Sequence, residues 1–360
     1  MKYYSLENIL KTESIYNMII GERSNGKTYS VLKYGVERFY NGKGQLAIVR
    51  RWKEDFIGKR GATMFDGLVS NGEISRITGG QWNGVYYYSS RWFLCRHEDG
   101  ERVATMETPF AYGFSIASME HDKSTSYPEI TTILFDEFLT RGMYLADEFV
   151  QFLNVVSTIV RQRTNVKIFM LGNTVNKYCP YFAEMGLNNV AKMKQGTIDV
   201  YKYGDSGLRV AVEYCDPAAK KGKASDIYFA FDNPKLEMIT GGAWEIDLYP
   251  HLPYHYAPKE VLYTFFLVFS DATLQCEIIQ HENDVFMFIH QKTTELQERP
   301  QDLIYSTEYR TNPLYRRNML KPALPVERKI LELFRSEKVF YQDNEIGEIV
   351  RNYLNWCKSN

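Results

Sequence analysis

The chain has 360 residues, enough for two domain cores, and its 44% hydrophobic and 24% charged content is that of an ordered globular protein. A net charge of −1 excludes a globally basic nucleic-acid coat, so any contact with nucleic acid must use local patches. Five cysteines without CxxC spacing argue for reduced thiols rather than a disulfide framework or a zinc site, and the absence of a signal-like or membrane-spanning apolar run predicts a soluble, intracellular protein.

In chain order, the apolar run at Ile15 and Met18–Ile20 reads as a buried parallel strand ending at Gly21. Leu32, Val36, Phe39 and Tyr40 then recur at helical spacing, and Leu46 to Val49 reads as a second buried strand. This is a βαβ unit opening an α/β domain. Residues 74 to 106 interrupt the alternation with three strand-like runs around an Asp99–Gly100 turn, predicting an antiparallel insertion or edge. Ile130 to Phe135 predicts the next buried strand, Phe149 to Val160 a helix, and Val166 to Leu171 a further strand. Beyond about 200 the character changes. Asp216 to Asp226 is small, polar and lysine-rich, as in a linker or exposed loop. Val261–Phe269, Leu274–His281 and Val285–His290 predict an antiparallel meander, followed by helices near 325–336 and 345–357. The expected domains are 1–200, a linker or lid module at 201–245, and an α+β domain at 246–360.

Gly21-Glu22-Arg23-Ser24-Asn25-Gly26-Lys27-Thr28 fits GxxxxGK[ST] at every fixed position. The spacing serves a phosphate chain. Glycines let backbone N–H groups wrap the phosphates at a helix N-terminus, Lys27 reaches the β and γ phosphates, and the Thr28 hydroxyl can ligate magnesium. Ile133-Leu-Phe-Asp136-Glu137 places an acidic pair at the end of a buried strand. Asp136 is the expected magnesium holder, and Glu137 is expected to orient and deprotonate the attacking water. Together they point to ATP hydrolysis with Mg²⁺. Asn173 closes the next strand, where it can sense the γ-phosphate or simply cap the strand end. Arg161 and Arg163 follow the predicted helix, either as arginine fingers for a neighbouring subunit or as solvated helix-end cations. Arg23 inside the loop can touch phosphate, pair with an acid or face solvent.

These residues carry a specific resemblance. Ile19–Thr28, Ile48-Val-Arg-Arg-Trp-Lys53, Lys123–Pro128, Thr131–Phe138, Val160-Arg-Gln-Arg163, and Leu171-Gly-Asn173 with Pro180-Tyr-Phe182 lie in the order found in DNA-packaging ATPases of phi29-like tailed bacteriophages. That family is related to the large terminases and belongs to the ASCE class of P-loop ring motors. The resemblance implies a RecA-like ATPase domain with a mainly parallel sheet. It also implies a homopentameric ring at the portal of a prohead, translocating double-stranded DNA, with a structural packaging RNA as a further partner, in the cytoplasm of an infected bacterium. By position Arg161 resembles the trans-acting finger, and Lys53 and Lys123 match basic positions near the subunit interface.

Beyond residue 200 the resemblance thins to a layout, an RNase H-like C-terminal domain that has lost its catalytic carboxylates. A working two-metal nuclease of that fold needs converging acids, the first usually within strand one. Leu262 to Phe269 holds none, and Asp271 lies in the following turn, so nuclease activity is not expected. Residues 299 to 338 carry nine Lys and Arg against five Asp and Glu, and Lys220, Lys221 and Lys223 form a second basic cluster. Either can follow phosphates or be a solvated face. The rival readings are a terminase with an active nuclease, a nucleotide-gated nucleic-acid-binding assembly protein, and a helicase-like ATPase.

Overall fold

The computed structural model describes residues 4–118, 126–216, 244–253 and 255–360. They form two compact units, one from Met1–Thr140 and Asp147–Trp244, the other from Arg141–Ala146 and Glu245–Asn360.

The first unit begins with a short helix, α1 (Glu7–Leu10), and the central strand β1 (Tyr16–Gly21), buried from Asn17 onward. Helix α2 (Lys27–Tyr40) follows the glycine-rich turn and buries Val31, Leu32 and Val36. Strand β2 (Gln45–Arg50) is buried through Val49. Three short helices, α3 (Lys59–Ala62), α4 (Asp66–Ser70) and α5 (Glu73–Ile77), lead to the strands β3 (Gly84–Tyr88), β4 (Arg91–Glu98) and β5 (Glu101–Thr105). These pair antiparallel, as the Asp99–Gly100 turn predicts. Next come β6 (Ala111–Ser115), β7 (Ile130–Asp136), α6 (Glu148–Val160), β8 (Lys167–Asn173), α7 (Pro180–Glu184), β9 (Thr197–Tyr203) and β10 (Leu208–Tyr214).

Among the described residues these strands make one ten-stranded sheet in the order β3-β4-β6-β2-β7-β8-β1-β10-β9, with β5 paired to β4. From β6 to β10 along this order every pairing is parallel. The mainly parallel sheet therefore matches expectation. Two details differ. Residues 201–214, read from sequence as the start of a linker or lid, make up the end of β9, a tight turn and β10, and extend this sheet. The five-residue β6, whose Tyr112 and Gly113 dilute any apolar run, inserts between β4 and β2 without a sequence signal.

The order matters for chemistry. Strand β8 lies between β1 and β7, so Gly21 is in register with Asn173 and Asp136 with Leu171. The glycine-rich turn, the acidic pair and Asn173 thus meet at the carboxyl edge of adjacent parallel strands, where open α/β sheets bind ligands.

The second unit is a mixed six-stranded sheet among the described residues. Strands β11 (Val261–Phe269), β12 (Ala272–His281) and β13 (Asp284–Gln291) form the expected meander. Strand β14 (Ile304–Ser306) adds parallel to β11, β15 (Tyr315–Arg316) parallel to β14, and β16 (Val339–Tyr341) parallel to β13. Helices α8 (Pro325–Arg335) and α9 (Asn344–Ser359) contribute Ile330, Leu333, Val350 and Tyr353 to the core. Asp343 caps α9 by accepting the Ile346 N–H at 2.9 Å. The segment Arg141–Ala146 is built into this unit through Arg141, which donates to Asp247 at 2.6 Å and Glu348 at 2.7 Å and accepts from Arg351 through its carbonyl. All five cysteines are buried thiols outside any disulfide.

Candidate nucleotide site

The turn between β1 and α2 is shaped by glycine where no other residue fits cheaply. Gly26, the residue before α2, has φ +92°, and a Cβ on Gly21 would come within 2.9 Å of the Cys215 Cβ. The Lys27 N–H bonds the Asn25 side chain at 3.2 Å, and the Asn25 carbonyl accepts from the Tyr4 N–H at 3.0 Å. Tyr4 also takes the Ser30 hydroxyl on its carbonyl and donates its phenol to Glu213, both at 2.5 Å. The N-terminal segment thereby braces the turn, a role that no motif announces.

The Lys27 ammonium donates to the carbonyls of Glu22 (2.6 Å) and Gly21 (3.4 Å) and to Asn173 Oδ1 (3.3 Å). Burial pushes its pKa down, while Asp136 acts in the opposite direction. Thr28 Oγ1 donates to Asp136 Oδ1 at 3.1 Å, so the two expected magnesium holders are in direct contact. Burial, with Glu137 adding to it, holds the Asp136 pKa above the ordinary carboxylate range against the opposing pull of Arg50, Thr28 and Lys27. A hydroxyl and a carboxylate beside a phosphate cradle suit Mg²⁺, which keeps several waters and takes one or two protein ligands with substrate phosphates. Ser24–Tyr29, Asp136, Glu137 and Leu171–Asn173 line a cleft of about 270 Å³ at this point.

The site contains a cation that sequence named only as part of a matching stretch. Arg50 ends β2 and forks onto both acids, Nη2 to Asp136 Oδ2 at 2.7 Å and Nη1 to Glu137 Oε2 at 2.7 Å. Glu137 itself has φ +63°, a left-handed conformation at a non-glycine residue directly after the strand. The signal available in sequence was the arginine pair closing a strand that neighbours β7.

The other predicted residues separate. Glu22 and Asn25 are buried in the turn, whereas Arg23 and Ser24 are exposed. Arg161 and Arg163 are not equivalent. Arg163 donates to the carbonyls of Tyr127, Pro128, Ile130, Ile159 and Val160 at 2.6–3.2 Å, which makes it a brace between the end of α6 and the start of β7. Arg161, at the C-cap of α6 with φ +42°, has an exposed side chain. Arg163 is thus committed to the backbone, whereas the Arg161 side chain reaches the surface. Lys53 is exposed in the short 3-10 helix Lys53–Phe56, outside the cleft lining. Lys123, Lys220, Lys221 and Lys223 lie outside the described residues.

In the second unit, the basic segment is only partly available to a ligand. Arg316 pairs with Glu327 at 3.4 Å, and Arg317 sits over the Trp356 ring while donating to the Thr307 carbonyl. Arg328 and Arg335 are exposed on α8. Asp271 lies in the turn between β11 and β12, and Asp284 at the start of β13 pairs with Lys338.

A glycine-rich cradle at a helix N-terminus, a buried lysine, and an acidic pair one strand removed define a P-loop nucleotide-phosphate site. The sequence profile of the Podovirus DNA encapsidation protein (Gp16) family matches residues 1–74 and 100–206. The chain belongs to this family. It is 28% identical over 182 residues to the DNA packaging protein of Bacillus phage B103, covering 50% of each chain. It is 26% identical over 186 residues to that of Bacillus phage phi29, covering 50% of this chain and 49% of the relative. The chain thus spans about half the length of the curated relatives it matches. Among solved structures, the Phi-28 gp11 DNA packaging motor superposes with a TM-score of 0.56 at 15% identity, over 99% of this chain and 98% of that one. The phi29 viral genome packaging motor assembly gives 0.56 at 18% identity over 99% of both. At these identities the likeness establishes the fold alone.

Proposed function

We propose that this chain is an ATP-hydrolysing motor subunit that translocates double-stranded DNA into a preformed prohead as a homo-oligomeric ring. The observation that carries the reading is the convergence of Lys27, Thr28, Asp136, Glu137 and Asn173 on one cleft, in a chain of a DNA encapsidation family. Backbone N–H groups of residues 21–28 would bind the phosphates, with Lys27 leaving its carbonyl partners for the β and γ oxygens. Thr28 and Asp136 would hold Mg²⁺, which supplies charge neutralisation at the phosphates. Glu137 would accept the proton of the water that attacks the γ-phosphorus as the bond to the bridging oxygen breaks, releasing ADP and phosphate. Arg50 holds both acids in one place and keeps their mutual repulsion in check until a ligand competes for them.

Arg161 would complete a neighbouring subunit's site in a ring, which the resemblance makes a pentamer. Lys53 and Lys123 are proposed as basic residues near the subunit interface. The second unit is proposed as an RNase H-like domain that binds nucleic acid, packaging RNA included, without cutting it. Its meander with β14 added in parallel supports that layout, and Asp271 and Asp284 occupy separate turns.

ATP-driven uptake of DNA into purified proheads tests the motor. Uptake that Glu137→Gln abolishes is the expected result. DNA binding with ATP turnover but no uptake would favour a nucleotide-gated assembly protein, and metal-dependent nicking of plasmid would favour a terminase with an active nuclease.

A further inference from the structure

The residue after Arg50 points the other way along the same turn. Arg51 is buried and makes a bidentate pair with Glu148, Nε to Oε2 at 2.7 Å and Nη2 to Oε1 at 2.8 Å. The same guanidinium donates to the carbonyl of Phe138 at 3.0 Å and to that of Glu137 at 3.4 Å. Glu148 is in the first turn of α6, and its Oε1 also accepts the Tyr181 hydroxyl at 2.9 Å. Tyr181 is fully buried against the rings of Phe135 and Phe138, at 5.6 and 5.9 Å between centroids. Burial, with Glu148 beside it, pushes the phenol well above its ordinary pKa, so it remains a donor. On the other flank of the turn, the Phe138 N–H bonds the Leu171 carbonyl of β8 at 3.1 Å.

Two consecutive arginines therefore grip one short turn by different handles. Arg50 takes the carboxylates of Asp136 and Glu137, and Arg51 takes the backbone that carries them. We propose that Arg51, Glu148 and Tyr181 are positioning residues for Glu137, fixing its left-handed turn and joining it rigidly to α6, whose far end carries Arg161. Stability alone gives little reason for such a network, because a buried ion pair rarely outperforms well-packed apolar side chains. A turn with φ +63° at the general base needs outside support, since a non-glycine residue in that region relaxes unless its surroundings hold it. Catalysis is sensitive to such support, because displacements of about 1 Å cost on the order of a hundredfold in rate. A single rigid body would also move Glu137 and Arg161 together, so a change at one site reaches the helix end offered to the next.

This inference rests on the hydrolytic reading above, and double substitution separates the two. Hydrolysis of ATP with Mg²⁺, affinity for a fluorescent non-hydrolysable ATP analogue and the melting temperature would be measured on the full chain. The variants are Arg51→Lys and Tyr181→Phe, each alone and with Glu137→Gln. Arg51→Lys loses the planar fork and is expected to lower kcat by about tenfold or more, with analogue affinity within about threefold of wild type. Tyr181→Phe removes one hydroxyl from the network and is expected to lower kcat by a smaller factor, about threefold. In the Glu137→Gln background neither should change the residual rate by more than about twofold, because the group they position is already disabled. A merely structural role would lower both backgrounds alike, and that result overturns the proposal, as does wild-type turnover in folded single variants. Should Arg51→Lys fail to fold, Tyr181→Phe decides by the same comparison. A wild-type chain that binds the analogue yet never hydrolyses ATP removes the hydrolytic reading itself, and the positioning role with it. Hydrolysis indifferent to both variants removes only the network.

Discussion

Arg161 and Arg163 stand two residues apart, yet their replacement should separate stability from function. Arg163→Ala deletes five donations to backbone carbonyls. The two shortest, to Ile130 and Ile159 at 2.6 Å, tie β7 to the last turn of α6. A hydrogen bond from a charged donor contributes roughly 1.5–3 kcal/mol, but half-exposed carbonyls recover water when the donor leaves. Counting the two short bonds at the low end of that range and neglecting the rest gives a loss of about 3 kcal/mol. For a unit of this size, that is a fall in melting temperature of about 6–12 °C. Arg161→Ala leaves the brace intact and should cost roughly 1 kcal/mol or less, as exposed substitutions do. Urea unfolding followed by tryptophan fluorescence measures both. Equal losses in the two variants, or an Arg163→Ala protein as stable as wild type, would refute the brace at Arg163.

Lys27→Ala should abolish tight ATP binding in equilibrium titration, whereas Glu137→Gln should bind ATP and hydrolyse it at least about a hundredfold more slowly. If Arg161 acts in trans, mixing Arg161→Ala with Glu137→Gln subunits restores part of the turnover at competent interfaces. No recovery across mixing ratios, with subunit exchange demonstrated, counts against that role. In the second unit, the Glu277 carboxylate 3.8 Å from His290 raises the imidazole pKa. The stability this adds is complete below the ordinary histidine range and is lost as pH rises through the raised value. The gap in melting temperature between wild type and His290→Gln should therefore shrink from pH 5.5 to 8.5, and a widening gap contradicts the pairing. Glu277 behaves oppositely. Burial pushes its pKa up, but the nearby His290 and the donors Tyr256 and Gln275 prevail and hold it down to about 2, so its share is complete above the ordinary glutamate range and is lost as pH falls through that value. Reversing Arg328 and Arg335 to Glu should weaken binding to unrelated duplex sequences alike and flatten its salt dependence, as measured by fluorescence anisotropy. Arg316 is unsuitable for this test because it neutralises buried Glu327.

The cradle and the acidic strand were legible because each is a local device. A glycine spacing, one lysine and a run of buried strand residues carry their geometry within a few positions. The antiparallel β3–β4–β5 edge was legible for the same reason, through its Asp99–Gly100 turn. Arg50, Arg51, Glu148 and Tyr181 were quoted or passed over without roles because their partners lie 33 to 97 residues apart. Nothing in periodicity announces a pairing at that range. β9 and β10 were missed as part of the first sheet because Thr197–Tyr203 alternates polar with aliphatic or aromatic residues like an exposed hairpin, and only the parallel pairing of β10 with β1 fixes its place. Arg163 was undervalued for another reason. Its partners are main-chain carbonyls, which are identical in every sequence.

The path of the backbone between the two units has a practical meaning. The chain leaves the first unit after Thr140, three residues beyond the acidic pair, returns at Asp147, and leaves again after Trp244. Three covalent crossings join the units where a simple tandem arrangement has one. Cutting the gene at residue 245 would not yield two complete halves, since the leading fragment would retain Arg141 without Asp247 and Glu348, and the trailing fragment would lack the strip that these acids hold. Independent expression of the first unit calls for a linker in place of residues 141–146, and that of the second unit requires those residues to be supplied with it. Recombination between related viruses meets the same obstacle, because exchanging the trailing module intact requires breakpoints on both sides of a six-residue strip inside the nucleotide-binding module.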